Sequence, residues 1–256
     1  MNRQAQAAIL FLTGAALLHA GFTNLYLRYV KAGLQPLLLA SGAVLIATAL
    51  ATVWYEWRNR RKDDTHGDAH AYAQDHEHEH GDDHGHVHHE TRISWLLVLP
   101  LLALILVAPP ALGSYSAMRT GTALQQPYGY NKLPATGPLD LNVVDYATRA
   151  VYDHGRFIEG RPIKITGFVA LDHAGAPYLV RMALNCCAAD AQPVKIALTG
   201  KIPPVLQPDK WLEVTGTYTA RQTKDPVNNG PIPYFQVTSA SPVPTPKDPY
   251  DESWNN

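Results

Sequence analysis

Three long apolar runs stand in the first half of the chain, and alternating apolar and polar positions fill the second half. The runs cover residues 5–27, 36–55 and 93–113. Each is long enough to cross a hydrocarbon core of about 30 Å as a helix. Trp54, Tyr55 and Trp57 close the second run, where aromatic side chains suit a membrane interface. This pattern predicts a multi-pass protein with two transmembrane helices in residues 1–62 and a third in residues 91–113.

Basic residues near the ends of the runs predict the orientation. Arg58, Arg60, Arg61 and Lys62 follow the second run, and Arg92 precedes the third. Loops with such an excess of Lys and Arg stay in the cytoplasm. Residues 63–90 are therefore predicted to be cytoplasmic, and the C-terminal half to be extracytoplasmic. We interpret the first run as an uncleaved anchor, since its basic n-region is too weak for a typical signal peptide.

The first two runs also contain polar and small residues with a predicted role. His19 is an intramembrane polar residue in the first run, and such residues line a pathway or meet another helix. A neutral imidazole bonded within the helix bundle is the alternative. Gly14 and Gly21 in the first run, and Ser41-Gly42 in the second, offer faces on which the two helices could pack closely.

The second half of the chain predicts a linker, one helix and a small barrel. Residues 114–140 are rich in Gly, Pro, Ser and Thr, which indicates a linker. Residues 141–154 have helical spacing, with Asp140 as the predicted cap and Gly155 at the end. Five alternating strands follow, at 161–170, 178–185, 194–199, 211–220 and 234–239. Mid-strand Gly167 and Gly216 indicate bends. The fold class is thus membrane α + β, with an OB-like β-barrel domain at 141–245 and a tail at 246–256.

Charge in the predicted barrel domain does not favour nucleic acid as a partner. From residue 141 to the end, eleven Lys or Arg face eleven Asp or Glu, without a basic stripe. Binding to a phosphate backbone depends on such a stripe.

The segment 63–90 has a composition typical of a metal-binding tract. Nine of the twelve histidines lie there, between nine Asp or Glu. Imidazole is the commonest ligand for zinc and similar divalent transition metals, and carboxylates add further donors. Ligands at every second residue permit many alternative ligand sets, which favours capacity over selectivity. A polar linker that binds metal only adventitiously is the alternative. The candidate ligands are His66, His70, His76, His78, His80, His84, His86, His88 and His89.

Cys186 and Cys187 are the second chemical signal. Adjacent cysteines are too close for ordinary disulfide geometry, so a bond between them would be strained and labile. Two thiolates could instead bind a soft or borderline metal, with Asp190 or His173 as a further ligand. Burial as two small core residues is the third interpretation. Regular strand geometry would send the two thiols to opposite faces, which weakens a joint site unless the backbone bulges.

No catalytic motif is present: the chain has no Gly-rich phosphate loop, HExxH, GxSxG or CxxC pattern. We therefore do not predict an enzyme.

Several segments together carry a family resemblance. They are His19-Ala20-Gly21, the histidine-rich insertion, LALILVAPPALG, RMALNCCAADAQPVKIAL at residues 181–198, WLEVTGTY and PKDPY. The chain resembles the YcgQ-like family of bacterial two-component membrane permease subunits, whose signature is Cys-Cys-x-Ala-Asp-Ala. The resemblance implies a bacterial plasma-membrane location, a separate multi-span permease as partner, and a link to zinc handling.

The leading hypothesis is an accessory subunit of a membrane permease complex that handles or transports metal ions. Three spans with one intramembrane histidine are too few for a transport path, so a permease subunit or a homo-oligomer is required. Two other hypotheses stay open, namely a membrane-tethered thiol redox protein and a structural assembly factor for the permease.

Overall fold

The computed structural model of the chain describes residues 3–63 and 111–252. The chain divides into two compact units. The first is Met1–Thr23 with Gln35–Pro109, and the second is Asn24–Leu34 with Pro110–Asn256. The short segment Asn24–Leu34, which links the first two helices along the chain, therefore belongs to the second unit. We name it the interhelix loop.

In its described part, the first unit consists of two helices packed through glycines. Helix α1 covers Arg3–Phe22 and α2 covers Gln35–Asp63. A Cβ atom placed on Gly14 would lie 2.8 Å from the carbonyl oxygen of Gly42, and one on Gly42 would lie 3.1 Å from that of Gly14. Backbones approach this closely only where side chains are absent. The predicted packing of small faces is thus confirmed at this glycine pair.

The helix bounds differ from the predicted runs. The run 5–27 was expected to be helical throughout, but α1 ends at Phe22, and Asn24 adopts a left-handed conformation with φ of 58°. A 3-10 turn, Leu25–Arg28, follows. The run 36–55 is shorter than α2, which continues through the polar residues to Asp63. The interior of the third run, residues 93–110, lies outside the described residues, whereas 111–113 are not helical.

Within the described residues, one helical stretch, Ala32–Asn59, is long and apolar enough to cross a membrane, with a mean hydropathy of 2.1. It lies near the N-terminus, so a signal sequence would meet the same criterion. Gln6–Phe22 is apolar but shorter. Three transmembrane helices therefore stay a prediction.

The second unit contains a closed β-barrel of five strands, as predicted. The strands are β2 Ile163–Leu171, β3 Pro177–Leu184, β4 Gln192–Gly200, β5 Trp211–Lys224 and β6 Pro231–Val243. Each strand pairs with two barrel neighbours, in the circular order β2, β5, β6, β4, β3 and back to β2. All pairings are antiparallel except that of β4 with β6, which is parallel.

The two mid-strand glycines lie where strands approach each other closely. A Cβ on Gly216 would clash with the Gln236 carbonyl oxygen, and the β5–β6 register shifts between Thr215 and Gly216. A Cβ on Gly167 would lie 2.9 Å from the Val180 carbonyl oxygen. A side chain at either position would force the neighbouring strand away, so glycine permits the curvature that closes the barrel.

A helix packs against the barrel, slightly shorter than predicted. Helix α4 covers Val143–Tyr152 and contacts all five barrel strands, which places it across one opening. Its N-cap is Asn142, whose side chain accepts a hydrogen bond from the Asp145 amide at 2.6 Å. The predicted cap Asp140 instead lies in the short strand β1, Leu139–Leu141, which pairs with β2.

Two segments expected to be irregular contain regular structure. The predicted linker 114–140 begins with helix α3, Ser114–Arg119, and ends in β1. The predicted tail contains β7, Tyr250–Glu252, which pairs in parallel with β3. Such short elements have no sequence periodicity of their own, because pairing and packing against longer elements stabilise them.

Two apolar cores result. One fills the barrel interior beneath α4 and includes Val143, Tyr146, Ile165 and Phe235. The other includes Phe168, Met182 and Trp211, together with Ala117 of α3 and Tyr250 of β7. Since Phe168 and Met182 come from β2 and β3, this second core joins those two strands to α3 and β7.

Candidate functional site

Cys186, Cys187 and Asp190 form one compact group of potential ligands. They lie in the turn that follows β3, and Ala188–Asp190 forms a single 3-10 turn. The two sulfur atoms and one carboxylate oxygen all lie within 4.8 Å of one another. Cys186 is exposed and Cys187 half-buried, and the two are not joined in a disulfide. A metal ion could therefore reach the group from solvent.

The turn is closed by the carboxylate that also forms part of the site. Asp190 accepts hydrogen bonds from the Asn185 amide at 3.1 Å and from the Cys186 amide at 3.0 Å. Since β3 ends at Leu184, the cysteines are outside its regular alternation. Regular alternation would have separated the thiols, but a turn and not a strand carries them, so it does not apply here.

A hydrogen bond between Cys186 and Asp190 shifts the pKa of both groups. The Cys186 sulfur donates to Asp190 Oδ2 at 2.9 Å. This hydrogen bond, followed by one with Cys187, raises the pKa of the Cys186 thiol from 9.0 to about 11. The same hydrogen bond lowers the pKa of the Asp190 carboxyl. At neutral pH the pair is therefore a protonated thiol beside an ionised carboxylate.

This protonation state disfavours nucleophilic chemistry, and the thiol must also lose its proton before an ion can bind. The thiolate is both the nucleophile and the metal ligand, and here the pKa moves away from thiolate formation. A metal ion can displace a thiol proton, and its affinity then rises with pH. Two sulfur donors with one carboxylate suit zinc or a softer ion. Three ligands on an exposed turn would leave a coordination position open.

Among the described residues, the other predicted ligand His173 does not join this group. His173 lies in the turn before β3, whereas Cys186 follows the other end of that strand, about 25 Å away for eight extended residues. The nine histidines of the tract at 63–90 lie outside the described residues. His19 is exposed on α1. Its backbone carbonyl accepts hydrogen bonds from the Thr23 amide at 3.0 Å and the Thr23 hydroxyl at 2.7 Å.

The interhelix loop packs directly on the cysteine turn, which the sequence did not predict. The Lys31 amide donates to the Cys186 carbonyl oxygen at 3.0 Å, and the Ala188 amide donates to the Tyr29 carbonyl oxygen at 2.7 Å. Val30 and Cys187 form an antiparallel bridge between these two bonds. The contacts join backbone groups that are far apart in sequence, so no side-chain pattern marks them.

A tyrosine holds the same loop at a second point. The buried Tyr250 hydroxyl donates to the Arg28 carbonyl oxygen at 3.0 Å and accepts from the Leu112 amide at 3.3 Å. Strand β7 positions Tyr250 opposite Met182 of β3. A salt bridge between Arg181 and Asp251 at 2.8 Å fastens β7 to β3.

Comparison with known proteins places the barrel in a recognised but functionally undefined group. Residues 127–251 match the DUF1980 C-terminal domain. This match supports the resemblance to an uncharacterised YcgQ-like family over the barrel region, which includes the cysteine turn. A search of curated proteins gave no significant match.

Proposed function

We propose that the chain is an accessory subunit of a bacterial membrane permease complex that handles zinc or a similar divalent transition metal. The observation that carries the proposal is the convergence of Cys186, Cys187 and Asp190 within 4.8 Å on an exposed turn. An open set of three ligands suits capture and release of an ion, since closed four-ligand sites are typical of structural zinc. In this proposal the histidine tract buffers metal in the cytoplasm, and the cysteine turn captures it outside.

The architecture supports membrane attachment. Only 11% of the apolar window in Ala32–Asn59 is buried within the structure. The core helix of a soluble protein would have this surface covered, so lipid or a partner helix is the more suitable environment. A signal sequence would be exposed in the same way, and the length of α2 beyond the apolar window favours an anchor.

Contacts of the interhelix loop support an even number of membrane crossings between residue 34 and the barrel. The loop precedes α2, yet it hydrogen-bonds to the cysteine turn far along the chain. Two segments in contact lie on the same side of a membrane. If α2 crosses the membrane, a later segment must return the chain, and the apolar run 93–113 is suited to do so. We therefore retain three spans, with the loop and the barrel both extracytoplasmic.

The barrel contributes a platform in this proposal. Its circular strand order and single parallel pairing support the OB-like assignment, although the helix precedes the strands. Fold alone does not establish function, so the proposal depends on the cysteine turn. The thiol redox alternative stays open, because the raised pKa of Cys186 reduces the thiolate needed for redox chemistry and for metal ligation alike.

Zinc binding tests the proposal directly. Calorimetry with metal analysis would use the purified full-length protein, a variant lacking residues 63–90, and a Cys186→Ser/Cys187→Ser variant. We expect the high-affinity phase to disappear with the cysteine changes, and the low-affinity capacity to fall with the deletion.

Asp190→Asn should weaken the high-affinity phase, with Asp172→Asn as its matched control. Asp172 also closes a turn, accepting from the Ala174 and Ala176 amides, but no cysteine adjoins it in the sequence. Retention of the high-affinity phase in the double-serine variant would reject the cysteine turn as the capture site.

A further inference from the structure

We propose that occupancy of the cysteine turn controls how tightly the interhelix loop is held. This inference rests on the proposed function, since it requires that Cys186, Cys187 and Asp190 bind a metal ion. It adds a regulatory output: the ion would stabilise the segment that connects α1 to α2. Binding outside would thereby be reported to the helices by the covalent chain.

The residues that offer the thiols also offer the backbone groups that hold the loop. Cys186 accepts from the Lys31 amide through its carbonyl oxygen, and Cys187 forms the bridge with Val30. Ala188, the next residue, donates to the Tyr29 carbonyl oxygen. Both cysteines carry a ligand atom and a loop contact, and Ala188 adjoins Cys187, so a change at the thiols reaches the loop without an intermediate residue.

One carboxylate makes most of the hydrogen bonds that hold the turn. Asp190 Oδ2 accepts from both the amide and the sulfur of Cys186, while Oδ1 accepts from the Asn185 amide. A bound ion would replace the sulfur hydrogen bond with bonds from both sulfurs and the carboxylate to one centre. This cross-link restricts opening of the turn, and every opening of the turn also breaks the contacts to the loop. Binding should therefore protect the loop.

The Tyr250 anchor makes the effect graded. Its hydrogen bond to the Arg28 carbonyl oxygen does not involve the cysteine turn. The loop therefore keeps its contact with Tyr250 whether or not an ion is bound. We expect occupancy to change the rate of local opening at Tyr29–Lys31 more than at Arg28.

Hydrogen exchange on the full-length protein in detergent, with and without Zn²⁺, tests the inference. The amides of Lys31 and Ala188 report the loop contacts. We expect Zn²⁺ to slow their exchange at least about fivefold, the lower end of typical coupling between sites. The amides of Ala174 and Ala176, bonded within a different turn, are the internal reference and should not change. The Cys186→Ser/Cys187→Ser variant should show no effect of Zn²⁺.

Reciprocity supplies a second measurement. If a bound ion strengthens the loop contacts by some factor, loss of those contacts must weaken ion binding by the same factor. Lys31→Pro removes the amide that donates to the Cys186 carbonyl oxygen. The residue before a proline favours extended backbone, and Val30 forms a β-bridge with Cys187, so proline is compatible with this position. Lys31→Ala retains the amide and is the matched control. We expect Zn²⁺ affinity at least about fivefold lower for the proline variant than for the alanine variant.

The outcomes separate the two proposals. If the wild-type protein binds no Zn²⁺ at the cysteine turn, the proposed function fails and this inference fails with it. Suppose that Zn²⁺ binds there, that it leaves the exchange of the Lys31 and Ala188 amides unchanged, and that Lys31→Pro and Lys31→Ala bind it equally well. Only the coupling is then overturned. Slower exchange that persists in the double-serine variant would also overturn it, since the protection would then come from metal bound elsewhere.

Discussion

Replacing Asp190 with asparagine should make Cys186 more reactive. The carboxylate accepts the Cys186 thiol hydrogen bond at 2.9 Å, and this bond is the main reason why the pKa of that thiol rises from 9.0 to about 11. Asparagine keeps one oxygen, which can accept from one of the two backbone amides that Asp190 bonds, whereas its NH2 group cannot accept from the other. The variant therefore removes the negative charge and one backbone hydrogen bond with little change in side-chain volume.

The size of the effect follows from the two pKa values. At pH 8 a thiol of pKa about 11 is thiolate in roughly one molecule per thousand, whereas one of pKa 9.0 is thiolate in roughly one per ten. The intrinsic nucleophilicity of the thiolate falls about eightfold over the same change, with a Brønsted slope of about 0.45. Because Cys187 and desolvation contribute to the same shift, alkylation of Cys186 should accelerate in Asp190→Asn by less than the roughly tenfold that a full return to 9.0 would give.

Alkylation by iodoacetamide, followed by mass spectrometry, measures this rate. Cys187→Ser serves as the background so that a single thiol reacts, and rates are collected from pH 7 to pH 10. The Asp172→Asn change in the same background controls for loss of a turn-closing carboxylate elsewhere. An Asp190→Asn rate equal to or below that of the background would refute the assigned hydrogen bond. Equal acceleration by Asp172→Asn would show general loosening instead.

Two further predictions concern the stability of the two units, measured by thermal and denaturant unfolding of the full chain in detergent, followed by tryptophan fluorescence. Lys195→Met should destabilise the barrel by about 3–5 kcal/mol, because it leaves the fully buried Asp225 without its ion-pair partner at 2.7 Å. Adding Asp225→Asn should recover part of this loss, and a cost below about 1 kcal/mol would contradict the assignment. Gly14→Leu should destabilise the helix pair by about 1–3 kcal/mol through overpacking against Gly42. Gly33→Ala, at a position with open space, should be nearly neutral, and equal effects of the two changes would argue against the packing.

Sequence periodicity predicted those elements that are long enough to have a period. The five barrel strands and α4 were predicted close to their observed positions, because their apolar residues recur with a strand or helix period, although β3 and β4 are buried on both faces. Strands β1 and β7 were missed, since three residues cannot show alternation. The end of α1 at Phe22 was missed for a different reason: apolar residues continue past it, and the left-handed Asn24 ends the helix without a change in hydropathy.

The candidate site was predicted in composition but not in geometry. Cysteine, cysteine and aspartate in one short segment indicate metal chemistry from their donor atoms alone. Whether adjacent thiols converge depends on where β3 ends, and the alternating sequence continues past Leu184 to Asn185. The contact with the interhelix loop could not be predicted from a pattern of side chains, because backbone amides and carbonyls of Tyr29, Lys31 and Ala188 form it.

Counting charged residues in the sequence overestimates how many of them a ligand could reach in this domain. The count of eleven basic residues against eleven acidic ones treats every side chain as available to a ligand. Three of those cations have side chains 12% exposed or less, each in an ion pair within the fold: Lys195 with Asp225, Arg149 with Asp145, and Arg181 with Asp251. A phosphate backbone binds cations that can reach it, so these three contribute to stability and not to recognition. That nucleic acid is not a partner stays a prediction, and burial leaves at most eight of these eleven cations within reach of such a partner.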